Sequence, residues 1–245
     1  MPEPVLVAVA HGSADPRASA TIAELAALAR ERSPGLDLRT AFLGHSPPSL
    51  PQVLSTIEAD REVTVLPLLL TAAYHSKADI PRMLARMPRT RGPRVSYGAT
   101  LGPHPLLLDA LERRLAEVDP GTDPAGTAVV LAAAGSSDPE ANATITRMAA
   151  QWQARTGWLA VRPAYASAAE PTPAAAVTGL LRDGAPRVVV ATYLLAPGLF
   201  ADRIRHAALA AGASAVSPAL GACAEVADVM LDRFAQTGSI RRTAA

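Results

Sequence analysis

The sequence predicts an α/β protein built from two tandem copies of one domain, each a parallel four-stranded sheet flanked by helices. Three observations predict it. In the first half, short apolar runs alternate four times with helical patterns, the order that produces parallel sheets. Residues 119–126, Asp-Pro-Gly-Thr-Asp-Pro-Ala-Gly, have the composition of a linker. Beyond the linker the pattern starts again. Ala10-His11-Gly12-Ser13-Ala14-Asp15-Pro16 is matched by Ala133-Ala134-Gly135-Ser136-Ser137-Asp138-Pro139, and Val63–Leu70 by Val188–Leu195. Thr100-Leu101-Gly102-Pro103-His104 is matched by Ala219-Leu220-Gly221-Ala222-Cys223. Each copy is about 110 residues long. Domains are expected at 1–119 and 125–236, with 237–245 as a frayed, disordered tail.

The elements follow in order. Val5–Ala10 is a wholly apolar run, too short for an ordinary helix, and reads as a buried strand. Asp15 then caps a helix that has Pro16 at its first position and runs to Arg32, where Ser33-Pro34-Gly35 ends it. Leu38–Leu43 is a second strand, with a helix over roughly Ser49–Ala59 after it. Val63–Leu70 is apolar throughout, as a central strand buried on both faces requires. A loop, Thr71–Lys77, and a helix over Ala78–Arg86 come next. Arg94–Leu101 is the fourth strand and Leu106–Val118 the closing helix, which Ala224–Phe234 repeats in the second copy.

Composition narrows the function. The 245 residues are 49% hydrophobic and 18% charged, with a net charge of +1, so nucleic acid is not an expected partner. Cys223 is the single cysteine and forms no intrachain disulfide. No apolar run reaches membrane-spanning length, and Met1-Pro2-Glu3-Pro4 does not open a signal peptide. A cytoplasmic protein, monomeric with pseudo-two-fold tandem domains, is expected.

Four of the five histidines, His11, His45, His75 and His104, each follow one strand of the first half. In a parallel sheet these positions share one edge, where ligands bind. The internal repeat separates fold from chemistry. Gly-Ser-x-Asp-Pro and Leu-Gly occur in both copies, whereas His11 is matched by Ala134, His75 by Phe200 or a neighbour, and His104 by Cys223. The turns therefore form without histidine, which favours a chemical role for His11 and His75. His104, between two prolines, reads as structural, and His45 fits both readings. Neutral imidazoles converging without a C-x-x-C or H-E-x-x-H motif point to an open, exchangeable site for a borderline metal such as Fe, Co, Ni or Zn. Gly12 and Ser13 are mostly turn chemistry, although Gly12 also exposes backbone N–H groups to an anion. Arg17, Lys77 and Arg82 sit near expected helix starts, where a cation is unfavourable, and so are weak candidates for gripping an acidic ligand.

The ordered set resembles a known family. Ala-His-Gly-Ser at a strand end and Asp-Pro-Arg come first, then Ala-Phe-Leu with Pro-Ser-Leu after the second strand. Tyr74-His75-Ser76-Lys77-Ala78-Asp79-Ile80-Pro81 after a buried strand and Leu-Gly-x-His-Pro complete the set, which is similar to the sirohydrochlorin chelatases, a group of class II chelatases. It covers residues 5 to about 118 strongly, while the second half is degenerate. The resemblance implies two flavodoxin-like domains facing across a cleft, with His11 and His75 as the metal-handling and catalytic pair. Family members often carry a glutamate after Phe-Leu; Gly44-His45 stands there instead, which makes His45 a candidate third ligand.

The implied activity is insertion of a divalent metal substrate, Fe2+ or Co2+, into the tetrapyrrole sirohydrochlorin, with no nucleotide and no P-loop. Gly12, Ser13, Gly44, Tyr74, Lys77 and Arg82 are the candidate substrate-binding residues. The competing readings are a cobaltochelatase, a non-catalytic metal or tetrapyrrole carrier, and a histidine phosphatase. Ala10 argues against the last, since it stands where that class needs a phosphate-clamping arginine.

Overall fold

Among the described residues, eight strands, all paired in parallel, form two separate four-stranded sheets of identical topology. The computed structural model describes residues 4–72, 78–85, 92–121 and 123–243. The first sheet consists of β1 (Val5–Ala10), β2 (Leu38–Phe42), β3 (Glu62–Pro67) and β4 (Arg94–Tyr97), in the order β2-β1-β3-β4. The second repeats that order with β5 (Thr127–Ala133), β6 (Ala160–Tyr165), β7 (Arg187–Tyr193) and β8 (Ala215–Val216), arranged β6-β5-β7-β8. The helices are α1 (Pro16–Arg32), α2 (Leu50–Ser55), α3 (Ile80–Ala85), α4 (Pro105–Val118), α5 (Pro139–Thr156), α6 (Pro173–Arg182), α7 (Leu199–Ala210) and α8 (Ala224–Thr243). Among the described residues no helix is long and apolar enough to cross a membrane.

The contacts divide the chain into two units, Met1–Leu106 with Ala222–Ala245, and Leu107–Gly221. The sequence repeat and the compact unit thus differ by one helix. Helix α4 follows the first sheet along the chain but is grouped with the second, and α8 follows the second sheet but packs on α1 and β3 of the first.

Polar anchors account for each placement. In unit 2, Glu112 on α4 accepts from the indole N–H of fully buried Trp152 at 2.9 Å and from Arg155 at 2.8 Å, while Arg114 donates to the Leu220 carbonyl at 2.9 Å. In unit 1, Asp228 on α8 pairs with Arg32 at 2.6 Å, and Arg233 donates to the carbonyls of Leu101 and Pro103 at 3.3 and 2.8 Å.

Each sheet is covered on both faces, which explains why β1 and β5 are buried at every position and apolar at all but Thr127. In unit 1, Val5, Val7 and Val9 pack with Val53 and Leu54 of α2 and Ile80 of α3. Leu6 and Ala8 alternate to the opposite face, where α1 and α8 lie. In unit 2, Ala128, Val130 and Ala132 take the corresponding place against Val177 and Leu180 of α6 and Ile204 of α7. Full burial of each large aliphatic side chain contributes about 1.5–3 kcal/mol.

Several bounds differ from the sequence expectation. The expected third strand, Val63–Leu70, is Glu62–Pro67; Leu68 lies just past it, still buried and with its N–H donating to the Val9 carbonyl at 2.7 Å. Helix α2 stops at Ser55 rather than Ala59, with the Thr56 hydroxyl turned back to the Val53 carbonyl at 2.7 Å. Helix α8 continues past Phe234 to Thr243, through most of the expected tail. Thr237 is buried there, its hydroxyl donating to the Arg233 carbonyl at 2.9 Å, so packing holds this turn in the helix.

Candidate metal-handling site

The site begins with strand register. Ala10 pairs with Phe42 and Val9 with both Ala41 and Pro67, so β2, β1 and β3 end at a common edge. Backbone bonds carry the β1–β2 pairing past the strands. The Leu43 N–H donates to the Ala10 carbonyl at 3.0 Å, and the Gly44 N–H to the His11 carbonyl at 3.2 Å. Gly44 therefore lies beside His11, and His45 follows in the left-handed region at φ 61°. The rings of His11 and His45 meet edge to face, with centroids 6.4 Å apart and an interplanar angle of 61°. Both residues are exposed. Two imidazoles meeting at a solvent-facing edge offer nitrogen ligands to a borderline divalent ion while leaving positions open for exchange.

Unit 2 builds the same edge without the histidines. The Ser167 N–H donates to the Ala134 carbonyl at 3.0 Å, and Ala168 is left-handed at φ 58°. Ala134 and Ala168 thus occupy the places of His11 and His45. The glycines recur for a packing reason. A Cβ on Gly12 would lie 1.7 Å from the Gly44 carbonyl oxygen, and one on Gly135 would lie 1.9 Å from the Ser167 carbonyl oxygen. Both glycines have positive φ, 88° and 84°. The backbone groups of Ser13 and Gly44 are likewise engaged within the fold. Ser13 exchanges hydrogen bonds with Ser46, and the Gly44 carbonyl accepts from the Ser46 N–H at 2.7 Å.

Asp15 caps α1, accepting from the Arg17 N–H at 2.9 Å, as Asp138 caps α5 by accepting from the Glu140 N–H at 3.0 Å. The Arg17 side chain folds back onto Asp15 at 2.6 Å, so this cation serves its own cap. The Arg17 guanidinium, and then the Arg17 N–H, hold the Asp15 carboxyl below the usual carboxylate range. A depressed carboxyl stabilises the fold above the ordinary value of 3.8, and the contribution is lost as pH falls through the folded value. Asp15→Asn should therefore melt below the wild type at neutral pH, with the gap closing on acidification. Thermal melts across the acid range check this, and a gap that is constant with pH would contradict it.

The remaining candidates divide clearly. His75, Tyr74 and Lys77 lie outside the described residues. Arg82 is exposed and falls in the last turn of α3, where the helix dipole favours a cation, so the unfavourable placement expected from the sequence does not apply. His104 is structural: its Nδ1 accepts from the Leu106 N–H at 3.3 Å and its Nε2 lies 3.8 Å from Asp232. His206 is exposed on α7. Among the described residues no group of three or more His, Cys, Asp and Glu is placed to hold a metal. A cavity of about 200 Å³ lined by Ser96, Tyr97, Gly98, Ala99, Arg233, Gln236 and Thr237 lies at the end of β4. None of the described histidines lines it, and it is smaller than the roughly 300–1,000 Å³ of ordinary ligand pockets, so it is no tetrapyrrole site. Burial pushes the Tyr97 hydroxyl there up to about 12, which keeps it protonated.

Comparison with known proteins adds to this geometry. A sirohydrochlorin cobaltochelatase from Priestia megaterium is 28% identical over 204 residues, 81% of this chain and 66% of the relative. A sirohydrochlorin ferrochelatase from Bacillus subtilis (strain 168) is 30% identical over 145 residues, 59% of this chain and 55% of the relative. The chain thus spans somewhat under two thirds of the length of these relatives. Among solved structures, SirB from Bacillus subtilis with Fe3+ superposes with a TM-score of 0.82 at 24% identity, covering 96% of this chain and 95% of that one. CbiX, described as the terminal enzyme for siroheme biosynthesis in denitrifying bacteria, superposes with a TM-score of 0.72 at 23% identity, covering 96% and 99%. These two likenesses show a shared two-sheet α/β fold. A family model described as CbiX matches residues 5–118 and 128–237, the same two stretches that the internal repeat and the paired sheets mark out. With nearly all of its length matched in this way, the chain belongs to the CbiX family.

Proposed function

We propose that the chain is a sirohydrochlorin chelatase, inserting Fe2+ into sirohydrochlorin to give siroheme without a nucleotide. The observation that carries this reading is the meeting of His11 and His45 at the edge of the first sheet, where unit 2 has Ala134 and Ala168. The reaction exchanges two pyrrole N–H protons for one M2+. His11 and His75 hold the ion and accept the departing protons, a task that suits imidazole near neutral pH. His45 is the third ligand, standing where family members often carry a glutamate. Tyr74, Lys77 and Arg82 hold the ring carboxylates by charge-assisted hydrogen bonds. Gly12, Ser13 and Gly44 carry little or no side chain and let the ring approach the two turns closely.

Co2+ is the second reading. The cobaltochelatase relative aligns over 81% of the chain, and a nitrogen-rich site binds Co2+ more tightly than Fe2+. Anaerobic incubation with sirohydrochlorin and Fe2+, Co2+ or Ni2+, followed by absorbance, tests the reading. Turnover is expected with Fe2+ or Co2+, and the ratio of kcat/KM values assigns the metal. Stoichiometric binding without turnover would identify a carrier instead, and no insertion with any ion would overturn the chelatase assignment.

A further inference from the structure

Ser46 follows His45 directly, and its hydroxyl reaches across to the turn that carries His11. It donates to the Ser13 carbonyl at 3.0 Å and accepts from the Ser13 N–H at 3.5 Å. One side chain, next in sequence to His45, thus ties the turn after β2 to the turn after β1.

Unit 2 satisfies the same backbone groups by another route. The Ser136 N–H donates to Asn142 Oδ1 at 3.1 Å, and Asn142 Nδ2 donates to the Ser136 carbonyl at 2.7 Å. Asn142 lies on α5, the helix that follows the same turn, so this pairing stays within one connection and leaves the turn after β6 untied by it. The pairing between the repeats places Ala169 at the position of Ser46 and Ser19 at the position of Asn142. The fold itself requires only that the polar groups of the turn find partners. Unit 2 links its own two turns through a different side chain, the Ser167 hydroxyl donating to the Ala134 carbonyl at 3.0 Å, so it is the Ser46-to-Ser13 clip, one residue past His45, that belongs to the histidine-bearing unit alone.

We propose that Ser46 is a positioning residue for metal handling, fixing the His45 imidazole relative to that of His11. The proposal rests on the reading of those two histidines as metal-handling groups. His45 is exposed, so its own side chain has little packing to define it. Its backbone is defined instead by the Gly44-to-His11 bond before it and the Ser46 clip after it. Outer groups that orient ligands typically account for about 10–100-fold in metal affinity.

The test is anaerobic titration of the full-length chain with Co2+ alone, read by its ligand-field absorption, alongside thermal melts. Ser46→Ala should lose about 10–100-fold in Co2+ affinity. Ser46→Thr keeps the hydroxyl and should restore it. The double variant Ser19→Asn with Ser46→Ala moves the unit 2 arrangement into unit 1. It should regain thermal stability while Co2+ affinity stays at the level of Ser46→Ala. If Ser46→Ala binds Co2+ like the wild type, or if Ser19→Asn restores affinity together with stability, the positioning role is overturned. His45→Ala separates the two readings. Affinity lost in His45→Ala but kept in Ser46→Ala refutes the role of Ser46 alone. Unchanged affinity in both His11→Ala and His45→Ala refutes the metal-handling reading, and the role of Ser46 with it.

Discussion

His11→Ala should lower metal insertion by at least about 100-fold while leaving the melting temperature near that of the wild type, since a positioned general base alone contributes about 10²–10⁴-fold. The two halves of this expectation have separate grounds. The activity loss follows from the proposed double role of His11, holding the ion and accepting a proton. The unchanged stability follows from unit 2, which builds the same strand-to-helix turn with alanine at that place. His11 is also exposed, so its removal leaves no buried cavity. Steady-state insertion assays paired with melts check both halves. Substituting Ala134, its counterpart, should leave turnover unchanged. Near-normal turnover in His11→Ala would remove this residue from the mechanism.

Gly12→Ala is expected to do the reverse, attacking the fold first. A left-handed backbone that carries a Cβ costs about 1–2 kcal/mol. The new methyl would also lie 1.7 Å from the Gly44 carbonyl oxygen, a backbone atom that cannot swing aside as a side-chain tip would. Together these place the loss at about 3–5 kcal/mol, a large share of the 5–15 kcal/mol that holds an ordinary domain folded. The displaced segment would be Gly44-His45, so whatever protein remained folded would also bind metal poorly. Gly44→Ala is the control, because a Cβ there meets nothing within 4 Å. Chemical denaturation of the two variants should separate them clearly. Gly135→Ala, with its contact at 1.9 Å, should resemble Gly12→Ala in stability. Equal stability of Gly12→Ala and Gly44→Ala would contradict the packing argument.

Some of this was legible in the sequence because its causes are local. Helix α1 lies at Pro16–Arg32 as read, since the Asp15 cap and the proline after it act within one turn. β1 matches as well, because six buried apolar residues cannot be placed otherwise in a sheet covered on both faces. The repeat carried the fold class, and it separated Gly12, which recurs, from His11, which does not. Strand ends were harder: Leu68, just past β3, is as buried as a strand residue and still donates its N–H to the Val9 carbonyl, so apolar character alone does not mark the end. The exchange of α4 and α8 was illegible. It depends on pairs such as Trp152 with Glu112 and Asp228 with Arg32, which are remote in sequence and leave no periodic trace.

The site was half legible. Placing His11 and His45 at one sheet edge needed only the βα order, whereas their ring contact needed the left-handed turn at His45. Ser46 was missed because Ser46-Pro47-Pro48 reads as ordinary turn composition. The signal that would have found it is the serine-to-alanine change against Ala169 in the second copy.

On the proposed function, the two copies share one fold and only the first handles metal. Anaerobic Co2+ titration of the intact chain measures this directly as a stoichiometry. One equivalent per chain is predicted, with a ligand-field spectrum that disappears in His11→Ala and persists when Ala134 is substituted. Two equivalents, or a single one that survives in His11→Ala, would rule out a metal site confined to the first copy.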